Sequence, residues 1–166
     1  MTLEELNALP REQAEARFRD CCAAESWVQG MTASRPFASH DAMLAQSRRL
    51  WPTLTGDDWL QGFEAHPKIG NLDSLRKKYV STRALAIGEQ AGAQQAPDAT
   101  LQHLRAGNDA YLEKFGFIFI VCATGKTAGE MLSLLEARLP NSREQELENA
   151  AREQAKITEI RLEKMV

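Results

Sequence analysis

Gly116-Phe117-Ile118-Phe119-Ile120-Val121-Cys122-Ala123 is the most apolar run in the chain, and its reading decides the fold class. Aromatic and β-branched side chains at this density favour a strand. A strand needs a partner, however, and no second run of this kind occurs elsewhere in the sequence. The run therefore reads as a buried extended segment between helices. The chain as a whole reads as all-α, a single-domain multi-helix bundle over residues 1–166. That length is enough to bury a core without disulfides or metal.

Helix signals flank the run on both sides. Upstream, Asp98 opens a helix carrying Leu101, Leu104, Tyr111 and Phe115. Downstream, Thr127-Ala128-Gly129-Glu130 has the form of a capping box and starts a helix to about Leu139. Residues 143–165 form a long charged helix, with Leu147, Ala150, Ala151, Ala155, Ile157, Ile160 and Leu162 assigned to its buried face. Nearer the N-terminus, Thr2 to Glu5 is another capping box, for a short helix to Ala8 that Pro10 ends. Residues 11–24 give a second helix with Phe18 and Cys22 on one face, and Trp27, Val28 and Met31 make an apolar knot. Ser39 caps a helix from His40 to about Trp51, which Pro52 stops. Thr55-Gly56-Asp57-Asp58 opens the next, with Trp59, Leu60 and Phe63 facing inward and acids placed to complement the helix dipole. Residues 72–92 are mostly helix formers, interrupted around Val80-Ser81-Thr82.

Composition excludes several function classes. Twenty basic and 23 acidic residues are interspersed and leave a formal charge of −3, without the basic stripe of a nucleic-acid binder. No segment approaches the roughly 20 apolar residues that cross a bilayer. The N-terminus lacks the basic start and apolar stretch of a signal peptide, and Glu163-Lys164-Met165-Val166 is not a peroxisomal address, so a cytoplasmic protein is expected. Cys21, Cys22 and Cys122 form no metal or redox motif and read as reduced thiols, Cys122 as a buried structural one. Metal-binding His-x-x-x-His spacing, phosphate loops and a nucleophile elbow are all missing. An enzyme of this composition would work by proton chemistry and positioning, with no cofactor and no metal.

The best-placed residue for such chemistry is His66, in Gly62-Phe63-Glu64-Ala65-His66-Pro67-Lys68-Ile69-Gly70. Proline disfavours helix at the residue before it, so His66 leaves its helix at a sterically defined corner. An imidazole with an ordinary pKa of about 6.5 exchanges protons near neutrality. The same position also suits a helix cap. Glu89 and Gln90 lie among Gly88, Ala91 and Gly92, where little bulk shields them. Gln90 offers a donor and an acceptor suited to an amide or a urea. Arg161 is either a surface ion-pair residue or a fork for a carboxylate.

Taken in order, Arg35-Pro36-Phe37, Phe63-x-x-His66-Pro67, Glu89-Gln90-Ala91-Gly92, Tyr111-x-x-Lys114-Phe115-Gly116-Phe117 and Glu159-Ile160-Arg161-Leu162 resemble the OHCU decarboxylase family. OHCU is 2-oxo-4-hydroxy-4-carboxy-5-ureidoimidazoline, an unstable product of urate oxidation. The resemblance runs from about Leu3 to Val166. It implies an all-helical, cofactor-free homodimer that converts OHCU to (S)-allantoin. It also implies His66 as proton donor, with Glu89 and Arg161 completing the catalytic set. Pro67, Gln90 and the segment Phe117, Ile118, Phe119, Ile120 and Val121 become substrate contacts. Ala86 stands where the family commonly has serine, so a hydroxyl contact is missing or comes from Ser81 or water. Because the resemblance reaches the last residue, no fused transthyretin-like hydrolase is expected. Two alternatives stay open at this level: a different cofactor-free enzyme acting on a related ureide, and a helical interaction module with His66 as a cap and the apolar run as a dimer seam.

Overall fold

Local capping chemistry sets most helix starts in the computed structural model, which describes residues 1–66 and 98–166. The expectations for residues 72–92 lie outside the described residues. The chain falls into two compact units, Met1–His66 with Leu147–Val166, and Pro67–Glu146. All regular structure among the described residues is helical, as the apolar run implied.

In the first unit, helix α1 (Leu3–Ala8) starts at the expected capping box. The Thr2 hydroxyl accepts from the Glu5 N–H at 3.1 Å, and the Glu5 carboxylate accepts from the Thr2 N–H at 2.8 Å. Helix α2 (Arg11–Cys21) ends three residues earlier than expected, because Cys22 is extended. The apolar knot is itself a helix, α3 (Glu25–Ala33), with Trp27, Val28 and Met31 fully buried. Its start has no side-chain cap from Ala24; a distant amide, Gln61 Oε1, accepts from the Glu25 N–H at 2.8 Å instead. Helix α4 (His40–Leu50) begins at Ser39 and passes into a 3-10 turn over Trp51–Thr53 at Pro52. Helix α5 (Gly56–Glu64) begins at a second capping box, Thr55 with Asp58. Phe63 is buried in it, whereas Trp59 and Leu60 are only half-buried.

Phe18 and Trp27 meet edge to face at 5.9 Å in the core of this unit. The Arg35-Pro36-Phe37 motif, which contains a cis Arg35–Pro36 bond, ties down α1. Arg35 Nη1 donates to the carbonyls of Leu6 (2.7 Å) and Leu9 (2.8 Å). Asn7 exchanges two hydrogen bonds of 2.9 Å with the Phe37 backbone.

In the second unit, helix α6 (Asp98–Phe115) buries Leu101, Leu104, Tyr111 and Phe115, as the periodicity required. Gly116 ends it at φ +80°, a left-handed turn that glycine makes without a side-chain clash. Residues 117–123 then run without helix or strand pairing. Phe117, Ile120 and Cys122 are buried, with half-buried neighbours between them. Helix α7 (Ala128–Arg138) starts where the Thr127 hydroxyl accepts from the Glu130 N–H at 3.2 Å.

Helix α8 (Arg143–Met165) has the expected bounds and an unexpected buried face. Ala150, Ala151 and Leu162 are buried as assigned, but Leu147, Ala155, Ile157 and Ile160 are only half-buried. Glu146 (0% exposed), Gln154 (0%) and Thr158 (3%) take the remaining buried positions. The correction has a simple origin. The buried residues follow a four-residue ladder, 146, 150, 154, 158 and 162, and that ladder admits polar side chains wherever partners await them.

Candidate active site

His66 sits two residues past the end of α5, half-buried, with its backbone N–H bonded to the Phe63 carbonyl at 3.1 Å. Its Nε2 lies 2.5 Å from Oε1 of Gln154. The opposite end of that amide, Nε2 of Gln154, donates to the Thr158 hydroxyl at 3.0 Å. One line of polar groups thus runs from the imidazole along α8 to Thr158.

Arg161, one turn beyond Thr158, donates through Nη1 to the Cys21 carbonyl at 3.2 Å. A cation there complements the negative end of α2. Burial pushes the Cys21 thiol up to about 12, opposed by the charge of Arg161. Burial raises Cys22 as well, opposed by the Ala24 backbone, by Thr158 and by Arg161. Two of the three predicted catalytic residues, His66 and Arg161, therefore belong to one unit, His66 bonded to Gln154 and through it to Thr158, Arg161 to the Cys21 carbonyl.

The other predicted residues divide into two groups. Pro67, Glu89 and Gln90 lie outside the described residues, as do Ala86 and Ser81. Phe117, Ile118, Phe119, Ile120 and Val121 belong to the second unit, where two arginines secure the segment. Arg138 Nη1 donates to the Ile120 carbonyl at 2.7 Å, and its guanidinium lies 4.6 Å from the Phe119 ring. Arg143 Nε donates to the Phe115 carbonyl at 3.1 Å, just before the segment begins. Behind the segment, Arg138 is itself held by Glu146 at 2.6 Å. Glu146 also accepts from the Tyr111 hydroxyl at 2.7 Å and from the Asn141 amide at 2.9 Å. The Tyr111 phenol is pushed upward, first by burial and then by Glu146.

Sequence reasoning missed Gln154, Thr158, Arg138 and Glu146. The available signal was the four-residue ladder on α8, where small or apolar residues at 150 and 162 bracket the polar pair. Among the described residues, no group of three or more His, Cys, Asp or Glu side chains gathers at metal-binding distance. None of the described helices is long and apolar enough to cross a membrane.

The described residues form an all-helical protein in which a half-buried imidazole meets a buried amide. The chain belongs to the OHCU decarboxylase family, whose model matches residues 7–163. It is 40% identical over 156 residues to the uric acid degradation bifunctional protein TTL of Arabidopsis thaliana, covering 93% of this chain and 48% of that protein. It is 27% identical over 166 residues to the 2-oxo-4-hydroxy-4-carboxy-5-ureidoimidazoline decarboxylase of Halalkalicoccus jeotgali, covering 99% and 92% of the two chains. A crystal structure of OHCU decarboxylase in the presence of (S)-allantoin superimposes with a TM-score of 0.72 at 37% identity, covering 89% of this chain and 94% of that one. The chain therefore spans about half the length of the plant protein and nearly all of the archaeal one.

Proposed function

We propose that this protein is a carboxy-lyase that converts OHCU to (S)-allantoin and CO2 without a cofactor, the third step from urate to allantoin. The observation that carries the reading is the family match over nearly the whole chain, residues 7–163. It is supported by the 37% identical solved relative, an OHCU decarboxylase crystallised in the presence of (S)-allantoin. Residues 1–166 act as one functional domain in this reading, as a cytoplasmic homodimer.

The chemistry follows from the substrate. The bond to the carboxylate breaks, CO2 leaves, and the electron pair of that bond delocalises onto the adjoining imine as an enolate-like anion. One proton must then return to a single face. His66 supplies it from its imidazolium form and is left neutral. Arg161 orients a substrate carboxylate or carbonyl through its fork of N–H donors, one of which engages the Cys21 carbonyl. Too firm a grip on the leaving carboxylate would stabilise the ground state and give no rate advantage. Glu89 holds the hydroxyl or ureido group and presses the carboxylate out of the ring plane by like-charge repulsion. Pro67, Gln90 and the backbone of Phe117 to Val121 contact the flat heterocycle. Acid–base help of this kind is typically worth about 10²–10⁴-fold.

The test is circular dichroism at the allantoin band while urate oxidase and hydroxyisourate hydrolase generate OHCU in place. Rapid appearance of one enantiomer with this protein, and its loss in His66→Gln, is the expected result. Slow racemic allantoin with and without the protein sinks the assignment. Light scattering tests the dimer.

A further inference from the structure

We infer that Arg138 is a positioning residue: by taking the Ile120 carbonyl it holds the Ile120–Val121 peptide with the Val121 N–H facing away from the guanidinium, as a donor to the substrate. This role deepens the proposed function and rests on its giving the Phe117–Val121 backbone to the substrate.

The guanidinium of Arg138 is gripped at three of its nitrogens. Nη1 donates to the Ile120 carbonyl at 2.7 Å, Nε to Glu146 Oε1 at 2.6 Å and Nη2 to the Tyr111 hydroxyl at 3.3 Å. That hydroxyl in turn donates to Glu146 at 2.7 Å, and the Asn141 amide donates to the other carboxylate oxygen at 2.9 Å. Glu146 is 0% exposed, so its charge requires the cation beside it. A guanidinium is a planar fork with N–H groups in set directions. Holding Nε and Nη2 therefore dictates where Nη1 points. The same group lies 4.6 Å from the centre of the Phe119 ring, which meets the Tyr111 ring edge to face at 5.4 Å. The ring of residue 119 and the carbonyl of residue 120 are thus both held by Arg138.

Backbone geometry converts that grip into a direction for the N–H. The Ile120–Val121 bond is trans, and in a planar trans peptide the C=O and the N–H point opposite ways. Turning this peptide over would break a bond from a charged donor, a class roughly twice as strong as its neutral counterpart. It would also set a carbonyl oxygen where the N–H stands. An oxygen there repels the anion left when CO2 departs, whereas an N–H stabilises it. The cation on the carbonyl side polarises the peptide and strengthens the donor on the other side. A donor set before the reaction needs no reorganisation as charge develops. Arg138 itself touches no substrate atom and acts through the peptide.

The test exploits a property of the sequence: Ile120-Val121 is its only Ile-Val step. Full-length protein labelled with ¹³C-carbonyl isoleucine and ¹⁵N-valine therefore gives one signal in an HNCO spectrum, that of the Val121 N–H. Saturating (S)-allantoin should shift this signal in the wild type. The pair Arg138→Met with Glu146→Leu removes the donor and leaves no buried charge. It should fold, move the Val121 signal of the free protein and lose the allantoin response. Its kcat for OHCU should fall by roughly 10- to 100-fold with KM within about threefold, up to the loss of one oxyanion donor. An arginine that only stabilises the fold predicts wild-type kcat and an unmoved signal once the pair has folded, and either result overturns the positioning role. So does a wild type that forms (S)-allantoin in the dichroism assay while its Val121 signal ignores (S)-allantoin. Slow racemic product with the wild type counts against the decarboxylase reading, and the free-protein signal of the variant still reads whether Arg138 sets the peptide. Should the pair not fold, Arg138→Lys, which keeps a cation beside Glu146 without the fork, carries the same comparison.

Discussion

Helix α8 buries two polar groups of opposite kind. Glu146, in its first turns, is a charge sealed from water and neutralised by Arg138, Tyr111 and Asn141. Gln154 and Thr158, further along, are neutral and hydrogen-bond in series with His66. The charged group fixes a backbone, since Arg138 holds the Ile120 carbonyl of the apolar segment. The neutral group contacts an imidazole. Each choice suits its task. A buried ion pair tolerates no missing partner and so makes a rigid anchor. An amide specifies geometry while leaving its neighbour's charge state to the reaction.

The sharpest way to break this comparison is to remove one member of the charged group. Arg138→Leu alone strands Glu146 and should lower unfolding stability by about 3–5 kcal/mol in a denaturant titration. The paired change Arg138→Met with Glu146→Leu should recover most of that loss, because no charge remains buried. A single variant within about 1 kcal/mol of the wild type would show that water reaches Glu146 and the anchor is not what it seems from its contacts. Gln154→Met, on the neutral side, should destabilise by only about 1–3 kcal/mol, the range for a buried hydrogen-bond partner left unsatisfied. A loss as large as that of Arg138→Leu would erase the distinction.

Smaller effects sharpen the neutral side. Thr55→Ala removes the cap of α5, the helix that leads to His66, and should cost about 1 kcal/mol of stability. The Asp58 carboxyl is held below its ordinary range, first by the Thr55 backbone N–H. Its contribution is therefore complete above the ordinary carboxylate range and is lost as pH falls through its lowered value. Asp58→Asn should accordingly flatten the acid side of the stability profile, read by fluorescence against pH.

The smallest effect at neutral pH concerns the two thiols beside Arg161. Burial holds Cys21 at about 12 and raises Cys22. Their contribution is complete below the ordinary thiol value of about 8.5 and is lost as pH rises toward the folded values. Both should react with a thiol reagent at pH 8 far more slowly in the native protein than after denaturation. Equal rates would show that the end of α2 opens to solvent.

Much of this was legible in the sequence, for physical reasons that differ by element. Thr2, Ser39, Thr55 and Thr127 were readable as helix starts because a cap is satisfied within three residues of itself. The run from Gly116 to Ala123 was readable as unpaired because a lone strand has nowhere to place its hydrogen bonds. Helix α3 was missed as a helix because its capping group, Gln61, arrives from elsewhere in the chain. Residue types and their order made His66 and Arg161 candidates. They were not enough to find Gln154, Thr158, Arg138 or Glu146.

The sequence by itself determined the all-helical class, the caps and the membership of the family. Only the tertiary structure decided which face of α8 is buried and which polar groups it buries. A glutamine on a helix is written the same way whether it faces water or an imidazole. What separates the two is the group packed against it, and that group is brought there by the fold: His66, from the end of α5.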